Sequence, residues 1–147
     1  MINKLLPLGH TAKTPCPYCQ GVITLVSGWY IYEHREDLWE LPFWQCASCK
    51  AYSGCHKGTT HAKGRVANHA TRQLRVAAHA AIDPIWKSGH ATRSWVYAEM
   101  GRMLGTSKQQ THVGWLSDDD LHKVIKWGTV LLTQKRSSSF ASKINKE

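Results

Sequence analysis

Four cysteines offer the clearest chemistry in this sequence, and they come as two Cys-x-x-Cys pairs. The first pair is Cys16 and Cys19, and the second is Cys46 and Cys49. Two residues between the cysteines let one tight turn point both sulfurs at a single ion, and a second such turn completes a tetrahedron. The two pairs therefore predict one Zn²⁺ ion held by four thiolates.

Other uses of these cysteines are open at this point. A thioredoxin-like redox site needs one Cys-x-x-Cys in a βαβ context rather than two pairs. Two disulfides would suit a secreted protein, whereas we expect no signal peptide because Pro7 interrupts the short apolar run near the N-terminus. Cys55 and His56 follow the second pair closely, so either can replace a ligand. Four thiolates leave no coordination position for a substrate, which indicates a structural metal.

Basic residues dominate the segment around and after the second cysteine pair. The chain of 147 residues has a formal net charge of +9, and residues 41–82 contain no Asp or Glu. A long segment of one sign in a basic protein favours a polyanionic partner. We predict nucleic-acid binding, DNA or RNA, with bases stacked on Trp44 or Tyr52 and phosphates bound by cations. Those cations are Lys57, Lys63, Arg65, Arg72 and Arg75.

Two other functions remain open. The acidic segment 33–40 and the exposed Trp residues expected beside it suit a protein-interaction module that engages a host protein. His79 and Asp83 are four residues apart, as two groups of a metal-dependent nuclease on one helix face would be. Pro84 directly after Asp83 disfavours helical geometry there. We therefore assign no catalytic residue, and expect His79 to hydrogen-bond to the following helices and Asp83 to cap a turn.

The N-terminal half must supply the short strands that position the cysteines. Residues 22–26, 29–32 and 43–45 are β-branched or aromatic, which predicts strands paired as hairpins in a zinc ribbon. Gly21 follows the first cysteine pair and is expected to take a positive φ as the chain turns back. Residues 33–41 read as a connecting loop.

The second half has the periodicity of helices. Apolar residues recur at intervals of three and four from Val66 onward and predict a helix that ends at Asp83-Pro84. Thr92 and Gly105 mark the start and the stop of a second helix. Ser117 starts a third helix, which we expect to end or weaken at Trp127-Gly128.

A helix-turn-helix is an alternative arrangement for part of this region. Residues 100–107 are similar to the first helix and turn of such DNA-binding motifs. Thr111 stands where the second helix needs an apolar residue, so a plain helix-loop-helix unit is preferred.

We predict an α+β fold, with an N-terminal four-cysteine zinc ribbon of short β-hairpins packed on a small helical C-terminal lobe. The predicted boundaries are 1–13 for an N-terminal arm, 14–58 for the ribbon, 59–130 for the helical lobe and 131–147 for a flexible basic tail. No segment approaches the about 20 apolar residues of a membrane span. We expect a cytoplasmic protein, in a compartment where cysteines stay reduced.

A set of residues spread over positions 14–127 resembles a known family. The markers are Cys46-Ala-Ser-Cys49-Lys-Ala-Tyr52-Ser-Gly54-Cys-His56, Arg72, Arg75, Ala78-His79, Asp83-Pro-Ile-Trp86, Arg93, Tyr97, Leu104-Gly105 and Thr111-His112-Val113. Together they resemble a zinc-finger-containing domain of unknown function that occurs in bacteria and their phages. The resemblance implies a four-cysteine zinc site, a helical second half and a phage or prophage origin in a bacterial host cell. It implies no particular activity.

Overall fold

The computed structural model describes the backbone of residues 10–145 and the side chains of residues 10–135. The chain forms two compact units that divide between Ala70 and Thr71. The first unit contains an antiparallel sheet, and the second is helical. The α+β class predicted from the sequence is confirmed.

Within the described residues, the sheet of the first unit has three strands, β1 (Ile23–Ser27), β2 (Pro42–Cys46) and β3 (Tyr52–Gly54), in the order β1-β2-β3. Both strand pairs are antiparallel, and Trp44 in the middle of β2 lies opposite Leu25 on one side and Ser53 on the other. Alternate residues of β1 are buried, which is the pattern of a strand with one face on a core. Because β2 ends at Cys46, the sheet leads directly into the second cysteine pair.

The described end of the predicted N-terminal arm pairs with β1. The backbone N–H of Ala12 donates to the carbonyl of Ile23 at 2.9 Å, and the N–H of Leu25 donates to the carbonyl of His10 at 2.9 Å. Residues 10–12 therefore lie along the edge of the sheet. The rest of the predicted arm, residues 1–9, lies outside the described residues.

Residues 59–70 are part of the sheet unit, whereas the predicted boundary stood between 58 and 59. Tyr52 and Ala67 exchange two backbone hydrogen bonds of 3.1 and 2.8 Å, so the chain returns alongside β3. Val66, predicted on the first helix, is buried beside Cys16 and Cys46 instead. The polar composition of this segment resembled a linker, but backbone pairing holds it on the sheet.

The strand predicted at residues 29–32 is wrong, because the chain forms a 3-10 turn at Gly28–Tyr30 and another at Glu36–Leu38. The Ser27 hydroxyl accepts from the N–H of Trp29 at 3.1 Å and caps the first turn. A Cβ on Gly28 would lie 1.9 Å from the Leu38 carbonyl oxygen, so the loop folds back tightly at that point. β1 accordingly pairs with β2, and the predicted strand 29–32 is part of the loop that connects these two strands.

Up to residue 145, where the described backbone ends, the second unit has three α-helices, α1 (His69–Lys87), α2 (Arg93–Leu104) and α3 (Asp118–Asn145). The predicted ends of α2 are confirmed. Thr92 accepts from the N–H of Trp95 at 3.0 Å, and Gly105 has a φ of 70° at the C-terminal cap. The start of α3 is also confirmed, since Ser117 accepts from the N–H of Asp120 at 3.2 Å. No helix of the described chain is both long and apolar enough to cross a bilayer.

The prediction that the first helix ends at Asp83-Pro84 is wrong, because α1 continues to Lys87 with Pro84 inside it. A proline within a helix costs about 3 kcal/mol. Ile82 and Ile85, on either side of the break, are both fully buried in the core. Burial of each stabilises the fold by about 1.5–3 kcal/mol, so together they offset the cost.

The prediction that the third helix ends or weakens at Gly128 is also wrong, since α3 passes through this residue. A Cβ at Gly128 would lie 2.9 Å from Cγ2 of Ile82 and 3.0 Å from the carbonyl oxygen of Ala81. The glycine thus marks close approach of α3 to α1 rather than a helix end. Because α3 extends to Asn145, the boundary predicted between 130 and 131 falls within it. The flexibility of the segment beyond stays a prediction.

A single aliphatic core holds these helices together. Its fully or nearly fully buried members come from all three helices, from the 3-10 turn Val113–Trp115 between α2 and α3, and from Leu116 directly after that turn. They are Ala78, Ile82, Ile85, Val96, Met100, Val113, Leu116, Leu121 and Val124. A loop and this short turn separate α2 from α3, so the region is a helix-loop-helix rather than a helix-turn-helix.

Candidate metal centre and nucleic-acid interface

The first cysteine pair lies in a tight turn just before β1. The N–H of Cys16 donates to the carbonyl of Gly21 at 2.9 Å, and the N–H of Gln20 donates to the carbonyl of Cys16 at 2.9 Å. These two bonds close the backbone around Cys19. Both sulfurs of the pair are consequently held on the same side of the turn.

The second pair repeats this pattern after β2. The N–H of Cys46 donates to the carbonyl of Ala51 at 2.8 Å, and the N–H of Lys50 donates to the carbonyl of Cys46 at 3.1 Å. Lys50 has a φ of 68°, and Gln20 at the matching position of the first turn has a φ of 64°. The two turns therefore present their sulfurs through the same backbone geometry.

The positive φ expected at Gly21 occurs one residue earlier, at Gln20. A non-glycine residue in this left-handed region costs about 1–2 kcal/mol, which a fully formed cluster can offset. A glycine is required at position 21 for a different reason, because a side chain there would collide with the cysteine sulfurs. A Cβ there would lie 2.9 Å from the sulfur of Cys46 and 3.2 Å from that of Cys19.

The four sulfurs meet in one cluster. Cys16 Sγ lies 3.6 Å from Cys49 Sγ, Cys19 Sγ lies 3.4 Å from Cys46 Sγ, and all four lie within 4.8 Å of one another. Four thiolates around Zn²⁺, with bonds of about 2.3 Å, lie about 3.8 Å apart. The cluster matches this spacing and fits a four-coordinate metal ion.

The cluster lies at the surface of the sheet unit. Cys16 and Cys46 are fully buried, whereas Cys19 and Cys49 are exposed. Ile23, Ala51 and Val66 pack around the two buried cysteines. The apolar residues fix the inner ligands, while the outer two face solvent. This arrangement gives a metal ion an entry path.

The thiols influence one another strongly. Burial raises the pKa of Cys46, but hydrogen bonds from the backbone amides of Cys49 and Ser48 and from the Cys19 and Cys49 thiols together outweigh it and lower this pKa to about 6. The backbone amide of Ala51 lowers the pKa of Cys49, whereas partial desolvation of its sulfur and the three neighbouring cysteines raise it to about 12. Sulfurs this close do not all ionise on their own, so a cation at the centre is the natural partner of four thiolates.

Cys55 and His56 do not join the cluster. Within the described residues, the four cysteines of the two pairs form the one group of three or more His, Cys, Asp or Glu that can hold a metal ion. Cys55 is partly buried near Lys63, where burial raises the pKa of its thiol and the lysine lowers it. His56 is exposed.

Two of the predicted phosphate-binding residues, Lys57 and Lys63, are exposed and line one cavity of about 350 Å³ in the sheet unit. Tyr32 and Phe43 line the same cavity, and among the described residues no Asp or Glu does. Arg65, the third predicted cation of this unit, is half-buried. Sequence reasoning did not assign Tyr32 and Phe43 to this site. Tyr32 was predicted on a strand, whereas it follows a 3-10 turn and lies beside Phe43 of β2.

The two aromatic residues predicted to stack on bases are both half-buried within the sheet unit. The indole N–H of Trp44 donates to the carbonyl of Thr60 at 2.8 Å. The ring of Tyr52 lies edge-on to Phe43 and Tyr32, and its hydroxyl lies 2.8 Å from that of Tyr32. Their contact with bases stays a prediction.

The remaining predicted cations, Arg72 and Arg75, lie half-buried on α1 in the helical unit. Arg75 Nη2 donates to the carbonyl of Gly114 at 2.8 Å. Arg75 therefore links α1 to the 3-10 turn that precedes α3. A substitution there would disturb this packing as well as any phosphate contact.

His79 and Asp83 pair with each other along α1, with His79 Nδ1 3.4 Å from a carboxylate oxygen of Asp83. The indole N–H of Trp86 donates to the same carboxylate at 3.3 Å. The expected bond from His79 to the following helices is thus replaced by one within α1. Asp83 lies inside the helix and does not cap a turn, because the helix continues through Pro84.

Comparison with known proteins identifies a family for this chain. A family model described as a zinc-finger-containing domain matches residues 12–129, which span both units. No curated protein and no solved structure matches the chain.

Proposed function

The chain belongs to this family of zinc-finger-containing domains, and from that premise we propose that it is a zinc-stabilised nucleic-acid-binding protein. Zn²⁺ is the metal proposed for the four thiolates, because a tetrahedral all-sulfur site is its usual structural environment. With all four positions filled by protein, the ion supports the fold and takes no substrate. Its role is to hold the sheet unit in the shape that presents the basic residues.

The placement of Lys57 and Lys63 supports the nucleic-acid proposal most directly. Both are exposed on one cavity with two aromatic rings, in a segment that lacks acids from residue 41 to residue 82. Cations without carboxylate competition can contact phosphates, and rings beside them suit unpaired bases. This combination favours a single-stranded nucleic acid.

The other predicted contacts add cations in each unit. Arg65 adds a cation in the sheet unit, and Arg72 and Arg75 add two in the helical unit. Trp44 and Tyr52 are proposed to reach bases with the part of each ring that remains accessible. The setting proposed is the cytoplasm of a bacterial host cell, with the gene carried by a phage or prophage.

The proposal is tested by fluorescence anisotropy with a labelled single-stranded oligonucleotide at two salt concentrations. The double substitution Lys57→Glu/Lys63→Glu is expected to weaken binding at least tenfold. The plot of log affinity against log salt has a negative slope. If two phosphate contacts are lost, this slope should become shallower by about 1.4 for a single strand.

The matched control is Lys123→Glu/Lys126→Glu, which changes the net charge equally through two exposed lysines on α3. It should retain most of the affinity. Equal losses in the two variants would mean that net charge alone attracts the strand, and unchanged binding by Lys57→Glu/Lys63→Glu would refute the assigned contacts.

A protein-interaction module is the second candidate, and one observation favours it. Trp29 and Tyr30 are 39% and 49% exposed, with ring centroids 5.1 Å apart, and the acidic segment 33–40 follows them. Exposed aromatic residues next to charge are typical of binding surfaces. The test is capture of a host protein from lysate. Capture that persists after nuclease treatment, and that the Trp29→Ala variant no longer shows, would favour this function.

A further inference from the structure

The helical unit contains a cavity that neither the zinc site nor the proposed nucleic-acid contacts use. It has a volume of about 740 Å³ and lies between α2 and the loop that follows it. Small-ligand sites typically have volumes of about 300–1,000 Å³. The cavity is thus large enough for a nucleotide-sized molecule.

The cavity is positively charged. Arg93, Arg102 and Lys108 line it, and no Asp or Glu of the described chain does. The Arg93 guanidinium is held 4.3 Å from the centroid of the Tyr97 ring. Arg102 donates to Glu99 outside the cavity, but an arginine has five N–H donors and can bind a second anion as well. Three cations from two segments converge on one space.

The loop wall of the cavity is held in place before any ligand arrives. The hydroxyls of Thr106 and Thr111 lie 2.7 Å apart, and that of Thr111 donates to the carbonyl of Ser107 at 2.6 Å. The N–H of Thr106 donates to the carbonyl of Gly101 at 2.9 Å, and a Cβ on Gly101 would lie 3.0 Å from the Thr111 hydroxyl. Lys108 lies on this fixed loop, so the free-energy cost of ordering the loop when a ligand binds is small.

Besides the three cations, the lining combines polar residues with an apolar and aromatic part on α2; the polar ones are Ser94, Thr106, Thr111 and His112. Gly101 packs against the loop, whereas Tyr97 and Ala98 are neighbours on α2 and supply the aromatic and apolar part of the lining. Such a surface suits a flat ring, whereas the cations suit a phosphate. A free inorganic anion would leave most of the cavity unused.

We propose that this cavity binds a nucleotide, with the phosphate on Arg93, Arg102 and Lys108. The base lies against Tyr97 and Ala98. The nucleotide is either a free mononucleotide or the phosphorylated end of a strand, since both present the same groups. The site does not depend on the proposed role of Lys57 and Lys63.

The test is calorimetric titration of the zinc-loaded full chain with AMP, adenosine and inorganic phosphate. If the ligand is a free nucleotide, AMP binds at least tenfold more tightly than either fragment, because each fragment meets only half of the lining. A second titration compares a short oligonucleotide with and without a 5′-phosphate. If the ligand is a strand end, the phosphorylated strand binds more tightly than the other.

Variants then locate the binding. Lys108→Glu should reduce the affinity for AMP, or for the 5′-phosphorylated strand, at least tenfold, which corresponds to about 1.4 kcal/mol. Ala98→Phe fills the cavity without a charge change and should have a similar effect. Lys126→Glu, on the exposed surface of α3, is the control and should bind like the unmodified chain.

The proposal is overturned if neither AMP nor a 5′-phosphate binds better than its unphosphorylated counterpart. It is also overturned if Lys108→Glu and Ala98→Phe both bind as well as the control. Loss of strand binding in Lys57→Glu/Lys63→Glu, with AMP binding intact, would separate this site from the nucleic-acid surface.

Discussion

At the scale of single residues, the metal centre depends on side-chain volume as much as on the cysteines. Gly21 is the clearest case, because the sulfurs of Cys19 and Cys46 occupy the space that any side chain there would need. Gln20 and Lys50 meanwhile accept a left-handed backbone so that each turn can close. The cluster thus depends on neighbours that do not bind the metal.

Gly21→Ala is expected to weaken zinc binding about 10–100-fold, the range found for residues that support metal ligands. The new Cβ would lie 2.9 Å from Cys46 Sγ and 2.9 Å from Ser48 Oγ, so the sulfurs must move. The measurement is competition for zinc with a chromogenic chelator. Gly54→Ala is the control, since its Cβ would make an ordinary 3.5 Å contact with Phe43. Equal zinc affinity in the two variants would contradict the prediction.

At the scale of elements, the packing of α1 and α3 explains two features that look like helix breakers. Pro84 is tolerated because Ile82 and Ile85 are buried on both sides of it. Gly128 lets α3 approach Ile82 and the carbonyl of Ala81 closely. Both residues therefore reflect contacts between helices rather than the limits of a helix.

Gly128→Ala is expected to lower the free energy of unfolding by about 1–3 kcal/mol, the usual cost of overpacking. Alanine is intrinsically better than glycine in a helix by about 1 kcal/mol, so a net loss would show that the contact dominates. Denaturant unfolding followed by helical circular dichroism measures it. Val130→Ala, at a position on α3 that is 49% exposed, serves as the comparison. A stabilised Gly128→Ala protein would disprove the close contact.

At the scale of the whole molecule, the chain forms two compact units, and each unit is stabilised in a different way. All four cysteine ligands lie in the first unit, whose core is small and centred on them. The second unit has an aliphatic core of its own. A structural zinc supplies about 10–16 kcal/mol to a small domain, so the first unit depends on the ion far more than the second does.

Zinc removal is therefore expected to unfold the first unit and leave the helices largely intact. Chelation of the purified protein, or the substitution Cys16→Ser, should reduce helical circular dichroism only slightly. Limited proteolysis should then cut within residues 10–70 and spare residues 71–135. Simultaneous loss of both units on chelation would contradict this division.

The sequence by itself determined the features that depend on neighbouring residues. Two Cys-x-x-Cys pairs indicate a metal cluster because each pair needs only one turn to align its sulfurs. Thr92, Gly105 and Ser117 mark helix ends because their capping bonds reach only three or four residues along the chain. The helix ends and the gathering of the four cysteines are confirmed, as are the α+β class and the family membership, whereas zinc at the cluster stays a proposal.

Only the tertiary structure decided the features that depend on distant partners. The aromatic segment 29–32 has strand propensity, yet it forms a turn because β2 takes the place beside β1. Residues 59–70 belong to the sheet unit because Ala67 pairs with Tyr52. Gly128 and Pro84 lie within helices because burial against other elements outweighs their local preferences. Local chemistry is readable from spacing, whereas long-range contacts decide where the chain turns and which residues share a surface.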